Sequence, residues 1–196
     1  MAITDIPLFP LASALFPGGR LRLRIFERRY LDMVRDCARS GSGFGVCLIL
    51  LGREAGEPAV PAAIGTLARI TDFHTLPDGL LGIHAEGDAR FHTESTRVRD
   101  NGLIHGEVRF FPVEETRTIP PEYGLLATIL ERVLERVGGE VAKVDRRRYD
   151  DASWVGFRLA EVLPLEAHER QHLLQITDPI DRLGRLMHYL PRFQRA

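Results

Sequence analysis

The chain has 196 residues, of which 44% are hydrophobic and 27% are charged, and its formal net charge is −1. This composition is typical of a globular protein with a sizeable core. The near-zero charge excludes an overall electrostatic attraction to nucleic acid or to an anionic membrane.

The first part of the chain, up to about Phe111, has the short apolar or alternating runs that predict β-strands. Between Arg20 and Ile25, leucine alternates with arginine, so one face of this strand is expected to be apolar and the other basic. Apolar residues at helical spacing predict a helix over residues 27–39. The other predicted strands are residues 44–51, 63–73, 80–85, 89–93 and 103–111.

The uncharged stretch 6–19 contains prolines at positions 7, 10 and 17, so we interpret it neither as a signal peptide nor as a membrane span. A cytoplasmic location is the default expectation. Cys37 and Cys47 are too few for a disulfide framework. Both fall on apolar positions of predicted elements, so we expect buried free thiols.

After Pro112 the apolar residues recur at helical spacing. Helices are predicted over residues 120–137, 151–163 and 165–176, and Asp178 is expected to cap a fourth helix that begins with Pro179. A strand-rich part followed by a helical part indicates an α+β protein. We expect two subdomains, residues 1–115 and residues 116–196.

Prolines and aromatic residues recur at distinctive spacings in the first thirty residues. The segments are Ile6-Pro-Leu-Phe-Pro-Leu11, Leu15-Phe-Pro-Gly18 and Leu21-Arg-Leu-Arg-Ile-Phe-Glu-Arg-Arg-Tyr30. Together they resemble the opening signature of the substrate-binding domain of Lon proteases, and a looser similarity extends over nearly the whole chain.

This resemblance implies a PUA-like β pseudo-barrel with one helix, followed by an α-helical bundle. It also implies a non-enzymatic module that binds unfolded or tagged polypeptides without a cofactor, as an adaptor or a regulator of proteolysis. A protease or an ATPase acting in trans is a further expected partner, and homodimerisation is left open. The chain has no G-x-x-x-x-G-K-[ST] phosphate loop, and its single lysine, Lys143, lies in a charged connection, so proteolysis of the Lon type is not expected of it.

Two groups of residues follow from the signature. We expect most of its residues to support the fold, through stiff prolines, a turn glycine and a helix start. These residues are Pro7, Pro10, Pro17, Gly18, Glu27, Arg29 and Tyr30. The candidate peptide-binding residues are Phe9, Leu15 and Phe16, as a partly exposed apolar patch, and Arg22 and Arg24, as a basic face that favours acidic residues near the bound segment.

A literal H-E-x-x-H motif spans His168 to His172 and would suit a zinc metalloprotease with Glu169 as the general base. Arg170 places a cation inside the motif, no histidine continues the spacing, and no glutamate follows Glu169 to serve as a third ligand. We therefore reject His168 and His172 as metal ligands.

RNA binding is the other alternative, because the resemblance implies a PUA-like barrel. The near-neutral net charge disfavours it. The run Arg146-Arg147-Arg148 is nearly cancelled by Asp145, Asp150 and Asp151, so a solvated loop is the preferred interpretation.

Overall fold

The structure is a computed structural model that describes residues 2–139 and 143–193. It divides into two compact units that meet in the sequence between Pro112 and Val113. The first unit contains a six-stranded sheet and a helix, and the second is helical. The predicted α+β class is therefore confirmed, while the PUA-like pseudo-barrel stays a prediction.

The sheet of the first unit has the strand order β2-β5-β4-β3-β1-β6, with an additional pairing of β5 with β6. The pairings are antiparallel except that of β1 with β3, which is parallel. The strands are β1 (Thr4–Leu11), β2 (Arg20–Ile25), β3 (Phe44–Leu51), β4 (Val60–Thr75), β5 (Leu81–Val98) and β6 (Ile104–Phe110), and helix α1 (Arg28–Ser40) lies between β2 and β3 in the sequence.

Strand β5 is one element of 18 residues, although the sequence predicts two shorter strands there. Gly87 lies where the sequence suggests a break. Instead of ending the strand, this glycine lets the β1–β2 connection approach closely, because a Cβ at this position would collide with the Phe16 carbonyl oxygen. The Gly87 amide donates to the Gly19 carbonyl at 2.8 Å, and the Gly18 amide donates to the Gly87 carbonyl at 2.6 Å.

Strand β1 contains two prolines, and it is not among the strands predicted from the sequence. Its residues from Thr4 to Leu8 pair with β6, and those from Leu8 to Leu11 pair with β3. Because only Leu8 has partners on both sides, most residues need hydrogen bonds on one edge alone. Proline, which has no amide hydrogen, is tolerated at such positions.

The core of the first unit consists of two buried clusters. We call the one that includes α1 the helix-side cluster, and its central residues are Phe9, Ile25, Tyr30, Met33, Val34, Cys37, Phe44 and Ile83. The second cluster contains Ile6, Leu8, Cys47, Leu67, Phe91, Ile104 and Val108. Both cysteines are buried free thiols, as predicted. Burial raises the pKa of the Cys47 thiol to about 12, so this group stays protonated and unreactive at neutral pH.

The described residues of the second unit form four α-helices, and side-chain oxygens accept hydrogen bonds from amides at several of their N-termini. Asp151 accepts from Ser153 at 2.9 Å, and Asp178 accepts from Ile180 at 2.7 Å, as expected for N-caps. None of the described helices is long and apolar enough to cross a bilayer. The helices are α2 (Gly124–Val137), α3 (Ala152–Val162), α4 (Ala167–Gln175) and α5 (Pro179–Tyr189).

A fully buried arginine connects helices α3, α4 and α5 of the second unit. The Arg182 guanidinium, in α5, donates to both Glu114 carboxylate oxygens at 2.5 and 3.0 Å, and it lies 3.9 Å above the centre of the Phe157 ring in α3. It also donates to the Leu173 and Ile176 carbonyls, near the end of α4. Glu114 in turn accepts from the Ser153 hydroxyl of α3 at 2.6 Å.

We expect Glu114→Gln to lower the free energy of unfolding of the helical unit by about 3–5 kcal/mol, because it leaves the buried Arg182 guanidinium without a counter-charge. Urea unfolding followed by fluorescence of Trp154, the one tryptophan of the chain, reports on α3 directly. The matched control is Glu135→Gln, at an exposed position of α2, which should change stability by less than about 0.5 kcal/mol. Equal effects of the two substitutions would contradict this account.

Candidate functional site

The H-E-x-x-H motif lies on α4, and its histidine and glutamate side chains differ in exposure. His168 and His172 are exposed, whereas Glu169 is buried. The Glu169 carboxylate accepts two hydrogen bonds from the Arg192 guanidinium, at 2.7 and 3.0 Å, and one from the Glu166 amide at 3.0 Å, which caps the helix. Within residues 2–139 and 143–193, no group of three or more His, Cys, Asp or Glu side chains could hold a metal ion. The contacts of Glu169 therefore give this residue a structural role.

These contacts predict that Glu169→Gln lowers the free energy of unfolding at neutral pH by about 1 kcal/mol, because it removes the charge that pairs with Arg192, whereas His168→Ala and His172→Ala change it little. Hydrogen bonding to Arg192 lowers the pKa of Glu169, so its stabilising effect is present above the carboxyl's ordinary pKa and is lost as the pH falls through the lowered value. Thermal unfolding between pH 3 and 7 and zinc titration calorimetry measure both properties. Micromolar zinc binding that requires both histidines would contradict the structural role.

The three apolar residues predicted to form an exposed patch are buried. Phe9, Leu15 and Phe16 all belong to the core, and the Phe9 ring stacks on Tyr30 with 3.9 Å between the ring centres. The expected exposure of these side chains is therefore wrong, because they pack in the interior of the protein. Their part in peptide binding stays a prediction that would require the fold to open.

Several signature residues make contacts that position the start of α1. The Arg29 guanidinium pairs with the Glu27 carboxylate at 2.9 Å, donates to the Gly102 carbonyl at 3.0 Å, and lies 4.8 Å from the centre of the Tyr30 ring. Gly18 has a φ of 70°, which favours glycine in the turn before β2. Of the prolines, Pro7 and Pro10 lie in β1, and Pro17 lies between β1 and β2.

The first unit carries a different apolar surface around the β3–β4 hairpin. The exposed fractions are 56% for Phe26, 58% for Leu50, 69% for Leu51 and 50% for Val60. We call these four residues the apolar patch. Leu51 and Val60 are direct partners across the hairpin.

The connection between β3 and β4 folds toward the start of α1, next to Phe26. The Gly56 amide donates to the Glu27 carboxylate at 3.4 Å, and the Glu54 carboxylate accepts from the Ala12 amide at 2.6 Å. The sequence holds a partial signal for this surface, since Phe26 breaks the alternation of β2. Leu50 and Leu51 in turn extend an apolar run beyond its last buried residue.

Strand β2 presents the second notable surface, and Arg22 and Arg24 are exposed on it as predicted from the alternation. Leu21 and Leu23 are half-buried and pack on the helix-side cluster. Among the described residues β2 pairs only with β5, so its other edge has no neighbouring strand. An open edge beside exposed apolar side chains is suited to binding an extended chain.

A family model described as the ATP-dependent protease La (LON) substrate-binding domain matches residues 5–192. A crystal structure of a Lon N-terminal domain protein from Xanthomonas campestris is 50% identical, with a TM-score of 0.82, and the match covers 95% of this chain and 99% of that one. The N-terminal domain of the Mycobacterium avium complex Lon protease has a TM-score of 0.69 over 94% of this chain and 97% of that one. At 18% identity, this second match is a similarity of fold alone.

Longer proteins also match. A Lon protease from Solibacter usitatus is 30% identical over 97% of this chain, which spans 23% of that protein. A LON peptidase N-terminal domain and RING finger protein from Schizosaccharomyces pombe is 24% identical over 97% of this chain, which spans 46% of it. The chain thus spans less than half the length of these curated relatives.

Proposed function

Because the chain belongs to the family of ATP-dependent protease La (LON) substrate-binding domains, we propose that it binds exposed apolar segments of unfolded or tagged polypeptides. The binding surface is the apolar patch of the first unit, and the module itself is non-enzymatic. Its partners include a protease or an ATPase that acts in trans, so the module serves as an adaptor or a regulator of proteolysis. The first unit is a PUA-like pseudo-barrel, residues 1–115 and 116–196 act as two subdomains, and the location is cytoplasmic.

The apolar patch is the observation that supports this proposal most directly. Its four large side chains are each at least half exposed, and two of them are cross-strand partners. Exposed apolar side chains that adjoin one another, as Leu51 and Val60 do, mark interaction sites, and full burial of a Leu or Val side chain is worth about 1.5–3 kcal/mol. The adjoining connection supplies a polar rim of exposed residues, Arg53, Glu54 and Glu57.

The ion pairs of the strands give RNA binding less support than polypeptide binding. Arg69 pairs with Asp88 at 2.6 Å, Arg97 pairs with Asp5 at 2.7 Å, and Arg109 pairs with a carboxylate on its neighbouring strand at 3.0 Å. A surface that binds phosphates needs cations that are not already neutralised. We therefore prefer a polypeptide to RNA as the ligand.

We expect Leu51→Ser to weaken binding of an unfolded polypeptide about tenfold, because it removes one of the side chains that the ligand would cover. Fluorescence anisotropy with labelled, reduced and carboxymethylated α-lactalbumin measures the Kd. The matched control is Leu125→Ser, which changes a half-exposed leucine of α2 in the second unit and should leave the Kd unchanged.

Circular dichroism of both variants shows whether they remain folded. A Kd that is unaffected by Leu51→Ser, or absence of binding by the wild-type protein, would refute the proposed site. Binding to a single-stranded RNA that weakens steeply with salt would favour the alternative function.

A further inference from the structure

The open edge of β2 runs directly into the apolar patch, because Phe26 follows Ile25, the last residue of the strand. We propose that this edge accepts an extended polypeptide segment as an additional strand, with acidic residues opposite the arginines of β2. This inference rests on the proposed function, since it specifies which polypeptide segments the apolar patch receives.

The backbone of β2 provides the first argument. The strand has six residues, and its described pairing, from Arg20 to Ile25, is entirely with β5. Within residues 2–139 and 143–193 no strand pairs with the amide and carbonyl groups of its other edge, so these groups can pair with an added strand. Six residues of extended chain span about 20 Å, which is long enough for a short peptide to form several backbone hydrogen bonds.

The side chains of β2 determine what the added strand should contain. Residues directly opposite each other on neighbouring strands project to the same face of a sheet. Peptide residues opposite Leu21 and Leu23 would extend the apolar face that packs on the helix-side cluster. Those opposite the exposed arginines would project to the basic face. The fitting segment therefore alternates apolar and acidic residues.

The charges around the arginines of β2 show at which position an acidic residue of the added strand should be favoured most. Arg24 pairs with Asp78 at 2.5 Å, and Arg20 has Glu86 directly opposite it on β5. Arg22 instead has His84 opposite it, and within residues 2–139 and 143–193 no carboxylate forms an ion pair with Arg22. An acidic side chain of the added strand would supply that missing partner.

Because β2 continues directly into Phe26, one ligand can both pair along β2 and contact the apolar patch. A polypeptide that pairs along β2 and continues past Ile25 would reach the apolar patch within a residue or two. We therefore assign as ligands extended segments in which alternating acidic residues adjoin an apolar stretch.

The first test compares two synthetic peptides that both end in Leu-Leu-Phe. One begins with alternating Glu and Val, and the other has Lys in place of each Glu. At low salt, where exposed charges are least screened, the Glu peptide should bind the full chain about tenfold more tightly. Arg22→Glu should reverse the order of the two Kd values. Arg132→Glu, an equal charge change at an exposed position of α2, should leave the order unchanged.

The second test separates strand addition from simple charge attraction. In an added strand, alternate amides face β2 and the others face solvent. N-methylation of one alternate set in the Glu peptide should weaken binding about tenfold or more, and methylation of the other set should have little effect. If both sets have the same effect, or neither has any, strand addition is refuted.

The carboxymethylated protein used above distinguishes failure of this inference from failure of the proposed function. If that protein binds in a manner sensitive to Leu51→Ser while Arg22→Glu leaves the peptide preference unchanged, the inferred pairing of acidic residues with the β2 arginines is wrong and the proposed function stands. If neither the unfolded protein nor the peptides bind, both are wrong.

Discussion

The sheet of the first unit depends on strand β5, which pairs with β2, β4 and β6. Its first part serves β2 and β4, and its last part serves β6. This use of one long strand requires the β1–β2 connection to cross close to the backbone at Gly87, where a side chain would collide. Strand β2, held only by β5 among the described strands, is consequently left at an edge next to the apolar patch.

Elements whose signals are local could be predicted from the sequence. Helix α1 has apolar residues at helical spacing and ends at Gly41, whose φ of 65° suits glycine, and Asp178 caps α5 as its sequence context indicates. Strands β1 and β5 were harder, because a proline or a glycine inside a strand is acceptable only when the neighbouring strands allow it. Whether the neighbouring strands allow it depends on the tertiary structure, and the local sequence pattern does not show it.

The candidate site shows the same division. Exposure of Arg22 and Arg24 follows from the alternation along β2 and could be predicted. Burial of Phe9 and Phe16 could not be predicted, because the identity of an apolar residue does not tell whether another element covers it. The apolar patch lies where apolar runs continue past the core, and the position of that boundary depends on how strands and helix pack.

The arginines of β2 also bear on self-association. Two copies of this strand placed edge to edge would bring rows of guanidinium groups together, and like charges on adjacent strands repel. This repulsion opposes pairing of the exposed edge with the same edge of a second copy of the chain. Such edge-to-edge pairing is the usual route from an open sheet to aggregates. Repulsion between the arginines would in this way oppose edge-to-edge pairing of two copies even at high protein concentration.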